Sequence, residues 1–348
     1  MKAVVCYGEG IVKYEDMEEP KVRPGCVKIK VRACGICGSD IPRAMAHGAH
    51  SYPIVLGHEF SGIVAEIGEG VHSLKVGDHV SGVPLIPCHT CTDCQAGNFS
   101  LCKHYSFIGS RQPGAFAEYV VIPEANAYKI DSRLPAEIGA LFEPSTVALH
   151  GLMQNQYKPD KYVVVLGGGT IGVFTLQWAK ILGAKKVVVI GRDLKHLELS
   201  TRLGADAVIS SEAENFLERA LAETEGRGYD YVFETAGATA TMKYAFKLAA
   251  NKAHVCFIGT PTKELTFSVP EWEQMNRKEF YLTGSWMSYS APFPGKEWEL
   301  TGQCFRDGRL KYDPDIFYAR YSMANADKAF ALYKAPGKVK GRVLLTAE

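Results

Sequence analysis

Nowhere in the chain do about 18 apolar residues run together, so nothing in it reads as a membrane-spanning helix. One-sided charge is missing too: 39 Lys+Arg against 38 Asp+Glu leave a formal net charge of +1, with no electrostatic case for nucleic acid or an acidic membrane surface. Low-complexity tracts, Ser/Gly linkers, charge blocks and short internal repeats are all lacking. The N-terminus, MKAVVCYGEG, has no long apolar core of an export signal. Ten cysteines without such a signal point to a reducing, cytoplasmic setting, where thiols serve metals rather than disulfides. What remains is a globular composition, 47% hydrophobic and 22% charged, and 348 residues suffice for two domains of ordinary size.

The pattern along the chain divides it into 1–146, 147–286 and 287–348. The first part carries short strands broken by glycine, among them Val27-Lys28-Ile29-Lys30-Val31, which alternates as a half-buried strand does. Residues 62–67 and 79–83 continue this β-rich pattern. From 147 the runs become continuously apolar, at 162–166, 186–190, 207–209, 229–233, 254–258 and 280–283, with helical stretches between them such as Thr170 to Leu182, Leu194 to Leu203 and Thr241 to Ala250. Strands buried on both faces and alternating with helices describe a doubly wound parallel sheet. The tail, ending in the strand-like Arg342–Thr346, is expected to return to the first domain.

Cys88, Cys91, Cys94 and Cys102 form C-x2-C-x2-C-x7-C within fifteen residues. Four thiolates at this spacing close a tetrahedral shell around one Zn²⁺ and leave no position for substrate, so the lobe reads as a structural zinc site. Gly167-x-Gly169-x-x-Gly172 follows one apolar run and opens a helix with Thr170 and Ile171, the fingerprint of a dinucleotide pyrophosphate site. Some 20 residues on, an NAD site carries an acidic residue for the ribose 2′-hydroxyl. This chain has Gly191-Arg192-Asp193 there. Gly191 removes the carboxylate and Arg192 offers a guanidinium to a 2′-phosphate, which favours NADP(H) over NAD(H). Asp193 either turns inward to serve NAD or caps the helix beginning near Leu194.

Outside the cysteine lobe stand Cys37-Gly38-Ser39-Asp40, Gly57-His58-Glu59 and Glu143-Pro144. A catalytic zinc takes three protein ligands and keeps one position open. Cys37, His58 and one of Glu59 or Glu143 satisfy that requirement, although a Cys/His/Glu shell also accepts Co²⁺ or Fe²⁺.

Taken together, these motifs make the chain resemble the zinc-dependent medium-chain alcohol and polyol dehydrogenases over essentially its whole length. The resemblance implies an α/β protein with a Rossmann domain and a β-rich, GroES-like catalytic domain bearing a structural zinc lobe. In that family the cysteine of C-G-S/T-D and the histidine of G-H-E bind the catalytic zinc, and a glutamate in an E-P step completes or assists the shell. Carried over, these are Cys37, His58 and Glu143, with Glu59 as an alternate or outer ligand, and Cys88, Cys91, Cys94 and Cys102 at the structural zinc. Ser39 is implied to take the hydrogen bond of the reacting alcohol. Some relatives end their proton relay at a histidine where this chain has Pro42, so neither His47 nor His50 is expected to replace it.

Residues 48–53, 107–111, 284–289 and 294–298 are similar to the bacterial galactitol-1-phosphate 5-dehydrogenase group. That similarity implies oxidation of a polyol phosphate, with galactitol 1-phosphate favoured, by a homodimer or homotetramer. Arg111, Lys296 and Arg43 are candidates for the phosphate, and Trp286 and Tyr289 for a substrate wall. The competing readings are a dehydrogenase of an unphosphorylated polyol or of threonine, and a non-catalytic NADPH-binding sensor.

Overall fold

The alternation of Val27, Ile29 and Val31 builds an eleven-residue strand, Cys26–Ile36, in the computed structural model, which describes residues 1–46, 48–335, 339 and 341–347. Lys28, expected on the solvent face, is buried as well, with its Nζ 3.0 Å from Glu19 and 2.7 Å from Glu66. Two carboxylates are what allow an ammonium to leave bulk water. His47 lies outside the described residues.

One compact unit comprises Met1–Glu143, Ser288–Asp307 and Phe317–Glu348; the other comprises Pro144–Met287 and Gly308–Ile316. The first is built on a seven-stranded sheet in the order Ala127–Lys129, His79–Gly82, Glu59–Ile67, Cys26–Ile36, Arg342–Thr346, Phe317–Ser322, with Tyr119–Pro123 also paired to Cys26–Ile36. Its core packs Ile29, Phe60, Phe116, Val120, Phe330 and Val343. The cysteine lobe leaves the short pair Leu85–Ile86 and Ser106–Phe107, and holds only the brief helices Thr92–Gln95 and Phe99–Leu101.

Strand register decides where the chemistry gathers. Gly35 stands opposite Glu59, and Ile36 opposite Val343. Three strand ends remote in sequence therefore bring Cys37, the His58-Glu59 pair and Arg342 to one place.

The second unit is a six-stranded parallel sheet in the spatial order Ala207–Ser210, Lys186–Gly191, Tyr162–Leu166, Tyr229–Glu234, Ala249–Phe257, Tyr281–Gly284. Numbered by sequence this is 3-2-1-4-5-6, the order of a Rossmann sheet. Its inner strands are apolar on both faces because helices such as Thr170–Ile181 and Thr239–Leu248 cover them. The helix expected over 241–250 ends at Leu248, since the parallel ladder takes Ala249 opposite Tyr229. Among the described residues no helix is long and apolar enough to cross a membrane.

Candidate functional site

Cys37 follows the strand Cys26–Ile36 in a turn that Asp40 stabilises: the Cys37 N–H donates to Asp40 Oδ2 at 2.9 Å, and the Asp40 N–H to the Cys37 carbonyl at 3.0 Å. His58 follows Gly57, whose φ of +95° suits glycine. A Cβ on Gly57 would also lie 2.6 Å from Phe116 and 2.9 Å from Cys34 Sγ. The ligand atoms of Cys37, His58 and Glu59 all lie within 4.8 Å of one another. Glu143, carried over by resemblance as the third ligand, is buried but stands outside that tight trio.

Two residues not singled out from the sequence shape this cluster. Asp40 is wholly buried, and its Oδ1 faces His58 Nδ1 at 3.4 Å, longer than a good hydrogen bond. With Nδ1 turned to Asp40, Nε2 is the nitrogen left for a metal, the usual carboxylate–histidine–metal arrangement. Arg342, from the last strand, places Nη1 2.8 Å from Glu59 Oε1 and 3.3 Å from the Ile36 carbonyl. Among the described residues, nothing gives the buried Glu59 Oε2 a hydrogen bond. A Cβ on Gly35 would fall 2.6 Å from that oxygen, so the strand must carry glycine where the pair passes.

Burial works to raise the Cys37 thiol, but His58 and Arg342 outweigh it and hold the thiol down at about 5. Burial likewise depresses the His58 imidazole, while Asp40 and Cys37 reverse that and carry it well above its ordinary value. Glu59 is pushed well up by burial and by the negative Cys37 and Glu143, against the pull of Arg342. Burial raises Glu143 to about 7. Four acidic groups thus crowd around two basic ones in a place with little water, an excess of negative charge that a dication neutralises. Together with the orphaned Glu59 oxygen, this donor set fits a zinc with one position left for substrate.

The second cysteine group fits a closed zinc. Cys88 and Cys94 Sγ are 3.9 Å apart, and Cys91 and Cys102 Sγ 4.0 Å. A tetrahedron with Zn–S bonds of about 2.3 Å has edges of about 3.8 Å, whereas disulfide sulfurs sit at about 2.0 Å. All four thiols are free. The Cys88 sulfur accepts from the Thr90 hydroxyl at 3.5 Å and the Cys91 N–H at 3.4 Å, contacts that hold its thiol at about 5.

In the parallel-sheet unit, Gly167 leaves its strand at φ +111°. A Cβ on Gly172 would come 1.8 Å from the Gly167 carbonyl oxygen, so the helix can approach only over glycine. Gly169, at the helix N-cap, has open space where a Cβ would stand, as close approach of a pyrophosphate requires. Thr170 and Ile171 open the helix behind it. The turn at 235–238 also touches this loop: Thr235 donates to the Leu166 and Gly167 carbonyls at 3.0 and 3.1 Å. It is anchored by the wholly buried Glu234, which accepts from the Ala236 and Gly237 N–H groups, each at 3.0 Å. Gly191 ends the second strand and Arg192 is exposed beyond it. Asp193 caps the following helix, accepting from the His196 N–H at 3.2 Å.

The remaining candidates are scattered. Ser39 is exposed and its carbonyl accepts from Arg43 Nη1 at 2.7 Å; that guanidinium also lies 4.0 Å from Asp40. Lys296 is exposed at the start of the helix Lys296–Arg306, and His50 is exposed. Trp286 belongs to the parallel-sheet unit and is 55% exposed, whereas Tyr289 is buried in the other unit.

A group of Cys, His and Glu ligand atoms at the end of a largely antiparallel sheet, and a glycine loop opening a helix beside a parallel one, are the features of a metal-dependent dehydrogenase. Residues 23–132 match the alcohol dehydrogenase GroES-like domain and residues 170–301 the zinc-binding dehydrogenase family, and the chain belongs to the zinc-binding alcohol dehydrogenases. Galactitol 1-phosphate 5-dehydrogenase of Escherichia coli K12 is 38% identical over 342 residues, 97% of this chain and 99% of that protein. The crystal structure of galactitol-1-phosphate dehydrogenase from Escherichia coli matches with a TM-score of 0.93 at 37% identity, covering 99% of this chain and 100% of the other. Sorbitol dehydrogenase of Halalkalibacterium halodurans is 30% identical over 354 residues, 99% of each chain. The structure of a zinc-binding-dehydrogenase-like protein from Sinorhizobium meliloti 1021, bound to NADP, matches with a TM-score of 0.90 at 31% identity, covering 99% of this chain and 98% of the other. The chain is an oxidoreductase with zinc-type polyol dehydrogenase activity.

Proposed function

We propose that the enzyme oxidises a secondary hydroxyl of a polyol phosphate, galactitol 1-phosphate first among them, to a ketose phosphate, passing hydride to NADP⁺. The observation that carries the substrate is the 38% identity to galactitol 1-phosphate 5-dehydrogenase along 97% of the chain. The sorbitol dehydrogenase relative supports a second reading, an unphosphorylated polyol.

In this reading the unit beginning at Met1 is catalytic and the parallel-sheet unit binds the nucleotide. Cys37, His58 and Glu59 hold the catalytic zinc, with Glu143 as the alternate carboxylate, and the four lobe cysteines hold a structural zinc. When bound, the zinc lowers the pKa of the secondary alcohol and the nicotinamide takes up its hydride. Asp40 orients His58, and Arg342 fixes one oxygen of Glu59 so that the other is presented. The exposed Ser39 hydroxyl accepts the hydrogen bond of the alcohol and starts its proton outward, and Pro42, standing where some relatives carry a relay histidine, takes no part in that route. The edge strand Tyr281–Gly284 exposes Tyr281 and Leu282, which supports self-association as a homodimer or homotetramer. Ten free cysteines favour a cytoplasmic setting.

Initial rates on galactitol 1-phosphate and on galactitol, each with NADP⁺ and NAD⁺, test this reading. A higher kcat/KM for the phosphate ester is expected, and equal or faster turnover of the free polyol overturns it. For the cofactor, Asp193 Oδ1 is engaged in the helix cap, which turns that carboxylate toward its own helix, while Arg192 is exposed beyond Gly191. Arg192→Ala is therefore expected to raise the KM for NADP⁺ about tenfold or more, and that for NAD⁺ much less. Parallel changes for both cofactors would remove Arg192 from the phosphate site.

A further inference from the structure

Arg111 is seated by an aromatic path that begins at a zinc-ligand candidate. The Phe107 ring meets the His58 ring edge-on at 5.5 Å between centroids, and Tyr105 meets Phe107 edge-on at 6.5 Å. The Arg111 guanidinium lies over the Tyr105 ring, 4.4 Å from its centroid. The turn that carries it is tightly made: the N–H groups of Ser110, Arg111 and Gln112 all point to the Phe107 carbonyl, at 3.2, 2.9 and 3.3 Å. The turn also rests on the catalytic segment. A Cβ on Gly109 would lie 2.5 Å from the Gly57 carbonyl oxygen, and Gly57 immediately precedes His58. Only Ser110 lies between Gly109 and Arg111, so their Cα atoms are at most about 7 Å apart.

A guanidinium stacked on an aromatic face keeps its edge N–H donors free, and those donors fit phosphate oxygens two at a time. Among the described residues, no carboxylate takes them. Beside Arg111 lies a pocket of ≈ 140 Å³ whose wall is mostly apolar, from Val5, Met17, Pro53, Ile54, Val55 and Pro113, with Ser51 and Gln112 adding a hydroxyl and an amide next to the guanidinium. The other candidate cations are less suited. Arg43 is engaged with the Ser39 carbonyl and Asp40, and Lys296 is exposed and, among the described residues, stacks on no aromatic ring.

The geometry points to Arg111, with Ser51 and Gln112, as a subsite for the phosphate monoester of the substrate, its guanidinium seated on the Tyr105 ring of the aromatic path that begins at His58. This rests on the polyol-phosphate reading above and names the residues that make it selective. In an extended polyol the reacting carbon and a phosphorus at the far end stand roughly 7–8 Å apart, so the subsite requires the Arg111 guanidinium to come within about that distance of the metal trio when substrate is bound. A phosphate bound here leaves the secondary hydroxyl free to reach that trio, so the subsite sets which hydroxyl reacts.

The test compares the wild type with Arg111→Gln and Tyr105→Leu, at saturating cofactor, in two measurements. The first is the ratio of kcat/KM for galactitol 1-phosphate to that for galactitol. Arg111→Gln is expected to lower this ratio about 10- to 100-fold, chiefly through the KM of the ester, with Tyr105→Leu giving a smaller fall in the same direction. The second is competitive inhibition of polyol oxidation by inorganic phosphate, expected in the wild type and lost in Arg111→Gln. A wild type that prefers the ester, with the preference intact in Arg111→Gln, overturns the subsite and leaves the substrate reading standing. A wild type with no preference for the ester, yet inhibited by phosphate through Arg111, overturns the substrate reading and leaves the subsite standing. No phosphate inhibition and no ester preference overturn both.

Discussion

Cys37→Ser is expected to lower kcat by more than about 10³-fold while the protein unfolds at nearly the wild-type temperature. A serine hydroxyl replaces a thiol held at about 5, and an alcohol oxygen is a far poorer zinc ligand at neutral pH. The metal's share of transition-state stabilisation is several kcal/mol, which converts to at least that loss in rate. Stability should change little, because Cys37 sits at a strand end, outside the packed core of Ile29, Phe60 and Val343. Cys91→Ser should behave in the opposite way. The lobe from Cys88 to Cys102 contains only two short helices, and metal binding supplies the folding energy that such a segment lacks. Its loss should appear first as a lower melting temperature and one zinc fewer per chain, with activity falling only as the folded fraction does. Metal analysis, thermal melts and steady-state rates on the two variants check this. Equal, mild effects on all three would mean that the catalytic and structural groups have been exchanged or misassigned.

How much of this was legible in the sequence depended on how local each feature is. The cysteine lobe and the glycine loop are complete within fifteen and six residues, so spacing alone suggests their chemistry; in the structure the four sulfurs gather in one group and the loop has room for a Cβ at Gly169 but none at Gly172. The catalytic cluster is not local. Cys37 and His58 carry recognisable neighbours, but the choice between Glu59 and Glu143 depends on strand register, which sets Glu59 opposite Gly35. Asp40 stood within the quoted C-G-S-D run, and its buried position beside His58 was the missing information. Arg342 had no motif at all. Read along the chain it is the first residue of an ordinary apolar strand, and only the pairing of Val343 with Ile36 carries it to Glu59. Lys28 erred in the other direction: alternation placed it in solvent, and two carboxylates from other segments buried it.

Arg342→Met is expected to be the most damaging single change away from the metal ligands themselves. It keeps the volume and the apolar stem but removes the partner of Glu59, which is 1% exposed. Breaking a buried ion pair from one side costs roughly 3–5 kcal/mol, because the remaining charge has neither water nor a counter-ion. Glu59 would relieve that cost by taking up a proton. Burial already pushes its carboxyl well up, and Arg342 is the chief group opposing the rise. A protonated Glu59 no longer offers an anionic oxygen to the metal, so affinity for the catalytic zinc should fall about 10- to 100-fold along with stability. The two effects separate in the double variant Arg342→Met with Glu59→Gln. An uncharged amide removes the stranded charge, so most of the lost stability should return, while metal retention and turnover should not. Arg342→Lys should recover part of both, since an ammonium restores the charge but not the guanidinium's simultaneous hold on Glu59 and the Ile36 carbonyl. Denaturant titration and competitive zinc chelation of the four proteins read out the two quantities independently. Wild-type stability and zinc retention in Arg342→Met would show that Glu59 is held by something other than this pair.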